Sequence, residues 1–167
     1  MSHPSPWVRA LTLLGLVVVA AVEVGPYLSF VFENRETLLF QIQEEIDVYS
    51  ALLPGPGELS ATLFIEIADK DQIKPVLDRF MGIDTGRHVW FEVGAGLTVP
   101  GSFEAGHSDE EKGKLAAVHF VRFAFSREAA RSFRDSEVHL VVDHPAARAR
   151  ARLSDEAKAE LLTDLTP

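Results

Sequence analysis

Apolar residues along the chain fall mainly into short runs with polar residues at alternate positions, a pattern typical of half-buried β-strands. The runs are separated by Gly, Pro, Asn and charged residues, which favour turns. The run at 115–125 is the longest, and "ENRE" between the first two runs predicts a hairpin. We therefore expect strands at 27–32, 37–43, 60–67, 88–93, 115–125, 137–142 and 147–153, with a further short strand inside 94–106.

Three helices are predicted between or after these strands. The first carries apolar residues at 73, 76, 77, 80 and 81 on one stripe and ends at Gly82. Ser126 is expected to cap a second helix that runs to about Arg134, and Ser154 to cap the C-terminal helix. Because strands and helices do not alternate strictly, their order predicts an α+β domain, with a largely antiparallel sheet and helices packed on it.

The N-terminal residues differ from the rest of the chain. After Arg9, 13 residues without a charge precede Glu23, which is too short a stretch to span a bilayer. We therefore divide the chain into an apolar N-terminal segment, 1–23, and a single α+β domain, 24–167. The segment is interpreted as a buried element of a cytoplasmic protein. The alternative is export or anchoring through residues 9–22, because the stretch also resembles the apolar region of a signal peptide.

Charge and cysteine content exclude several classes of function. The formal net charge of −9 argues against a general nucleic-acid binder, which needs a basic face, and against docking on an anionic membrane. The chain contains no cysteine, so disulfides, thiolate metal sites and cysteine nucleophiles are excluded. The absence of disulfides is consistent with the cytosol.

Motifs for nucleotide and metal binding are also missing from the sequence. "GAG" at 94–96 is followed by neither a third glycine nor the start of a helix, and no Walker loop or H-E-x-x-H motif is present. His107, Asp109 and Glu110 share one loop and are of metal-ligating types, but we interpret this loop as solvated and charged. We therefore predict no cofactor and no metal.

The predicted strand "AVHFVRF", 117–123, carries two polar side chains. Alternate residues of a strand point to opposite faces, so His119 and Arg122 are expected on opposite sides of the sheet. A buried arginine needs a carboxylate, and the candidates are Glu33, Glu66 and Glu92. His119 is interpreted as a core histidine whose nitrogens are hydrogen-bonded, with acid/base catalysis as the alternative.

Two further groups of polar residues lie on predicted strands. Gln41 and Gln43 share one face, which is therefore either wet or part of a polar pocket, since unpaired buried amides are costly. Arg148, Arg150 and Arg152 alternate with alanine, a pattern typical of a half-exposed edge strand. The alternative for this row is binding of a carboxylate or phosphate.

The segments "FENRETLLFQIQE", "SATLFIE", "AVHFVRF" and "DHP" together resemble a bacterial family known as domain of unknown function 3501, over about residues 24–166. The resemblance implies a single-domain protein, often encoded beside a rubrerythrin and an iron–sulfur oxidoreductase, and thus a link to oxidative stress. The positions that match the family pattern are Glu33, Asn34, Arg35, Gln41, Gln43, Glu44, Tyr49, Pro54, Glu66, His119, Arg122, His144 and Pro145.

The chain also departs from the family pattern. The helical segment that usually follows the Q-I-Q-E run is missing after Glu44, and the usual basic N-terminal helix is replaced by the apolar stretch. Leu115 and Ala116 stand where the family has threonine and serine, and Ala147 or its neighbours where it has an aromatic residue. A site inherited from the family would therefore be incomplete here.

We interpret the chain as an accessory or binding protein in a bacterial redox or oxidative-stress pathway, with rubrerythrin and the iron–sulfur oxidoreductase as partners implied by the resemblance. Its polar strand faces are expected to form one pocket or partner surface. One alternative is a small enzyme that uses His119 or His144 with Glu33 or Glu66 as acid and base; another is a non-heme metal-binding protein. The predicted binding residues are Glu33, Arg35, Gln41, Gln43, Glu66, His119, Arg122 and His144.

Overall fold

The computed structural model of the protein describes residues 20–32, 53–85, 87–104, 108–109 and 114–165. The predicted strand at 37–43 and its hairpin with 27–32 lie outside these residues, as do residues 1–19 of the apolar N-terminal segment.

An antiparallel sheet of eight strands, with helices packed against it, confirms the predicted α+β class. The strand order is β1-β2-β3-β8-β5-β4-β9-β10, while β6 and β7 form a separate pair of two-residue strands. The strands are β1 Ala20–Val24, β2 Leu28–Phe32, β3 Glu58–Ile65, β4 Val89–Val93, β5 Leu97–Phe103, β6 Ser108–Asp109, β7 Lys114–Leu115, β8 Val118–Ala124, β9 Val138–His144 and β10 Ala147–Arg152. The α-helices are α1 Ile73–Arg79, preceded by a 3-10 turn at Lys70–Gln72, α2 Arg127–Asp135 and α3 Asp155–Leu165.

Local sequence signals account for the ends of the helices. Ser126 Oγ accepts a hydrogen bond from the Ala129 amide at 3.1 Å, so the predicted cap of α2 is confirmed. Ser154 Oγ does the same for the Ala157 amide at the start of α3, also at 3.1 Å. Helix α1 ends earlier than predicted, at Arg79, and Gly82 instead occupies the turn that follows, with φ of 87°.

The core lies on the inner face of the sheet, between its strands and helices α2 and α3. Phe91 of β4 packs edge-on against Phe123 of β8, with ring centroids 4.7 Å apart, and also contacts Phe133 of α2. Helix α3 contacts helix α2 and strands β1 and β3, so the two helices together cover this face of the sheet. The sheet curls so that β1 also contacts β9 and β10.

The strand β5 changes its partner halfway along its length. It pairs with β4 as far as Pro100 and with β8 from Gly101 onwards. A Cβ at Gly101 would lie 2.9 Å from Val121 Cγ2 and 3.2 Å from the Val89 carbonyl oxygen. The two halves of the sheet therefore meet at a position where the chain has no room for a side chain.

The predicted continuous strand at 115–125 is wrong. Its first residues pair with β6 as β7, whereas β8 begins only at Val118, and β3 with eight residues is the longest strand described. The break lies at Ala116, whose carbonyl accepts a hydrogen bond from His119 Nε2 at 2.8 Å instead of entering a ladder. Apolar character continues through the break, so the sequence pattern does not reveal it.

At the N-terminal side, Ala20–Val24 forms the edge strand β1 and pairs with β2. The domain boundary predicted after residue 23 falls within this strand, and the division of the chain remains a prediction. No helix in the described part of the chain is long and apolar enough to cross a membrane.

Candidate functional site

A polar cleft of about 240 Å³ lies beside the turn that joins β1 to β2; we call it the Glu66 cleft. The turn itself depends on Gly25, whose φ of 71° is unfavourable for other residues. Glu23 of β1 and Ser29 of β2 stand opposite each other in the register of the hairpin. The cleft is lined by Glu23, Gly25, Pro26, Tyr27, Leu28, Ser29 and Glu66.

Glu66 is held at the cleft by two contacts. Its backbone amide donates to the Tyr27 carbonyl at 2.7 Å, and its Oε1 accepts a hydrogen bond from Ser29 Oγ at 2.5 Å. Ser29 is only 2% exposed, so its hydroxyl is fixed by the surrounding sheet. The ring of Tyr27 packs edge-on against Phe80, with centroids 6.2 Å apart. The cleft therefore presents an oriented carboxylate, and a second carboxylate, that of Glu23, lies on β1, on the other side of β2.

His119 lies inside the core rather than at an open cleft. It is 1% exposed, and Nε2 donates to the Ala116 carbonyl at 2.8 Å. Its Nδ1 lies 3.7 Å from Asp84 Oδ2, and that side chain is 6% exposed. Phe103 covers the ring edge-on, with centroids 6.2 Å apart. This histidine–carboxylate pair is sealed from solvent, which favours a structural role over contact with a substrate.

His144 is also buried and has both ring nitrogens engaged. Nε2 donates to the Met81 carbonyl at 3.2 Å, and Nδ1 accepts from the Ala146 amide at 3.1 Å. Burial lowers the pKa of His144 below its usual 6.5; the Met81 carbonyl opposes this shift, and the neighbouring His88 adds to it. The ring also stacks on Phe80. The neutral imidazole thus ties β9 to the turn after α1.

Arg122 lies on the face of β8 opposite His119, as the alternation predicts. Its Nη1 is 3.5 Å from Glu58 Oε2 and donates to the Leu53 carbonyl at 3.3 Å. The predicted partners Glu66 and Glu92 are wrong, because their carboxylates accept hydrogen bonds from Ser29 and Arg150 instead. The third candidate, Glu33, lies outside the described residues.

The four described residues of the predicted set occupy different surroundings. His119 and His144 both reach the segment after α1, through Asp84 and the Met81 carbonyl respectively. Glu66 lines its own cleft, and Arg122 lies on the outer face beside Glu58. The remaining predicted residues, for which a shared pocket stays a prediction, lie outside the described part of the chain: Glu33, Arg35, Gln41 and Gln43.

Sequence reasoning missed Glu23, Ser29 and Asp84. Ser29 could have been found from the sequence, because it is the one small polar residue in the apolar run "YLSFVF" and its hydroxyl must find a partner when buried. No sequence signal pointed to Asp84, because aspartate is common in turns, most of which lie at the surface.

The arginine row of β10 lies at the edge of the sheet, as predicted. Arg148 Nε is 3.0 Å from Asp143 Oδ1, Arg150 Nε is 2.8 Å from Glu92 Oε2, and Arg152 Nε is 3.5 Å from Glu137 Oε2. The row is therefore neutralised by acidic residues of the neighbouring strands and their connections, which is the arrangement expected of a protected edge.

For metals, the described residues contain no group of three His, Asp or Glu side chains close enough to hold an ion. The loop that carries His107 and Glu110 lies outside the description, so the metal prediction is untested there.

Comparison with known proteins identifies the family of the chain. The structure is similar to the crystal structure of a protein of unknown function from Burkholderia pseudomallei K96243, with 26% sequence identity and a TM-score of 0.78 over 95% of this chain and 92% of that chain. No curated protein matches the sequence. The family model DUF3501, described as a protein of unknown function, matches residues 19–165. Because this match spans almost the whole chain, the protein belongs to the DUF3501 family.

Proposed function

We propose that the protein is an accessory binding protein whose Glu66 cleft receives a cationic side chain, lysine or arginine, from a partner protein. The observation that carries the proposal is the hydrogen bond from the buried Ser29 hydroxyl to Glu66 Oε1, which orients the carboxylate in a polar cleft. A carboxylate can accept several hydrogen bonds, so Glu66 retains capacity for a donor on an incoming group. Charge-assisted bonds of this kind are about twice as strong as neutral ones.

The size and charge of the cleft support a side chain over a large substrate. Its volume of about 240 Å³ is below the roughly 300–1,000 Å³ of typical small-molecule pockets. Glu23 of β1, which also lines the cleft, adds a second negative charge, and the chain as a whole carries −9. A basic partner would therefore be attracted from a distance and then fixed by the cleft.

Binding is favoured over catalysis by the surroundings of the histidines. A general base must reach the proton that it removes, and both His119 and His144 are buried in the described structure, with Nε2 of each hydrogen-bonded to a backbone carbonyl. The carboxylate of Glu66 is paired with a hydroxyl rather than with an imidazole. These contacts favour recognition over proton transfer.

The partners to test first are the rubrerythrin and the iron–sulfur oxidoreductase implied by the family resemblance, which would assign the protein to a bacterial redox or oxidative-stress pathway. A cytoplasmic location is part of this proposal. It is supported by Ala20 and Ala21, the small residues at the end of the apolar stretch, which pair with Phe32 and Val31 inside the sheet. Cleavage of a signal peptide at that point would cut into β1.

A co-purification experiment with charge-matched variants tests the proposal. Wild-type protein, Glu66→Gln and Glu128→Gln are each immobilised and exposed to the purified neighbouring redox proteins. Glu128 is an exposed carboxylate in the first turn of α2, so both variants lose one negative charge. We expect wild type and Glu128→Gln to retain a partner and Glu66→Gln to lose it. Equal retention by all three, or by none, would overturn the proposal.

A further inference from the structure

We infer that the outer face of the sheet carries a second binding site, independent of the Glu66 cleft, for a small carboxylate with a flat apolar body. The site is a cavity of about 360 Å³ lined by Arg87, Val89, Trp90, Thr98 and Pro100, which we call the Trp90 cavity. Its volume falls within the range of small-molecule pockets.

The Trp90 cavity lies where β5 leaves β4. Trp90 and Pro100 are opposite each other in the last paired position of the two strands, and proline has no amide hydrogen with which to continue the ladder. The next residue, Gly101, already pairs with β8. The regular pairing of β4 with β5 therefore stops at Pro100, and the Trp90 cavity lies at this interruption of the sheet.

The aromatic wall of the cavity is held in place by its cross-strand neighbours. Trp90 stands between Pro100 of β5 and Val141 of β9, and Val141 is only 8% exposed although it lies on the outer face. Trp90 itself remains half-buried. A fixed indole beside a proline ring offers a flat apolar surface on which a planar ligand can stack at little entropic cost.

Arg87 supplies the polar end of the cavity. It is exposed, and no carboxylate or hydrogen-bond acceptor engages its guanidinium among the residues that the structure describes. The acidic residues nearest along β4 and β9, Glu92 and Asp143, are already occupied by Arg150 and Arg148. Arg87 is therefore available to form a bidentate pair of hydrogen bonds with a ligand carboxylate.

These two ends define the class of ligand. A guanidinium at one end selects a carboxylate, while Trp90, Pro100 and the methyl group of Thr98 select a flat apolar body. Phenylacetate has this chemistry and serves as the probe. Phenylacetamide has the same shape without the charge, so it serves as the neutral control.

The indole N–H signal of Trp90 provides a local readout. The chain has two tryptophans, Trp7 and Trp90. In a Trp7→Phe background, the nitrogen–proton correlation spectrum therefore contains a single indole N–H signal, that of Trp90. Phenylacetate is titrated at millimolar concentrations into this protein and into two further variants. Arg87→Gln removes the proposed carboxylate contact, and Arg131→Gln removes an exposed arginine of α2 as the matched control.

We expect a saturable shift of the Trp90 signal with phenylacetate. The affinity should be unchanged in Arg131→Gln and about tenfold weaker in Arg87→Gln, which corresponds to about 1.4 kcal/mol. Phenylacetamide should bind as weakly to the unaltered site as phenylacetate binds to Arg87→Gln. The inference is overturned if no saturable shift occurs, or if phenylacetate and phenylacetamide bind equally well. Neither result affects the Glu66 cleft, which the titration does not involve.

Discussion

Arg150 on β10 reaches across β9 to Glu92 on β4, with its Nε 2.8 Å from Glu92 Oε2. The two residues are separated by a whole strand. Arg150 is opposite Val141 of β9 and Glu92 is opposite His139, so the contact crosses β9 diagonally, and both of these β9 residues are buried. The arginine row thus covers the last strands of the sheet with its aliphatic stems while its charges are neutralised. This arrangement explains how the edge of an acidic protein can carry three arginines.

The first prediction concerns this contact. Arg150→Ala should lower the free energy of unfolding by about 0.5–1 kcal/mol, because the pair is partly exposed and such pairs contribute little. Urea denaturation measures the change. Arg148→Ala is the control. Because the side chain of Arg148 is 80% exposed, this substitution should lower the free energy of unfolding by less than Arg150→Ala does. A larger loss in Arg148→Ala than in Arg150→Ala would contradict the proposed covering role.

The second prediction concerns the crossing point of the sheet. Gly101→Ala should lower the free energy of unfolding by about 1–3 kcal/mol, because the added methyl group meets Val121 and the Val89 backbone. Ser102→Ala, on the neighbouring exposed position, should have little effect. Thermal and urea unfolding of the two variants provide the comparison, and equal stabilities would show that the crossing tolerates a side chain.

The third prediction concerns pH. The pKa of His144 is lowered in the folded protein, so the unfolded chain takes up a proton at this residue more readily than the folded one. The neutral imidazole therefore contributes fully to the free energy of unfolding above pH 6.5, the usual pKa of histidine. This contribution is lost as the pH falls below 6.5 towards the lowered pKa of the folded state. Urea denaturation between about pH 5 and pH 8, the range in which histidine changes its charge, measures this loss of stability.

A variant separates the His144 contribution from those of other groups. His144→Gln should be less stable than wild type at pH 8, and the difference between them should shrink as the pH falls. His139→Gln, in which His144 is retained, should keep the wild-type loss below pH 6.5. A difference between wild type and His144→Gln that is constant across this range would contradict the assignment.

The fourth prediction concerns Ser29 as a positioning residue. Ser29→Ala removes the hydroxyl that orients Glu66 and should weaken partner binding at least about tenfold, because a hydrogen bond to a charged group contributes about 1.5–3 kcal/mol. Ser29→Thr keeps the hydroxyl and should restore binding. If both variants fold and bind like wild type, Ser29 does not position Glu66 for recognition.

Features set by neighbouring residues could be predicted from the sequence, whereas contacts between distant strands could not. The caps at Ser126 and Ser154 follow from rules that involve three residues, and the alternation in "AVHFVRF" placed His119 and Arg122 on opposite faces. The partner of Arg122 depends instead on β3 lying beside β8, which brings in Glu58. Strand order is a property of the whole fold, and no local pattern encodes it.

The candidate site was predicted only in part for the same reason. Glu66 was selected as a candidate partner of Arg122 and from the family pattern, but its actual partner Ser29 is 37 positions away and meets it only because β2 and β3 are neighbours. The Trp90 cavity likewise arises from the exchange of partners along β5. Pro100 and Gly101 marked this point in the sequence, and a proline followed by glycine in a strand is a signal that the ladder is interrupted there.

The most direct test of the account is a titration of the protein with n-butylguanidinium, which carries the head group of an arginine side chain, followed by amide chemical shifts. The account predicts saturable shifts at Tyr27, Ser29 and Glu66 in wild type and in Glu128→Gln, and their loss in Glu66→Gln. Shifts that persist unchanged in Glu66→Gln, or that do not occur at the cleft in wild type, would contradict the claim that this carboxylate captures a cationic group.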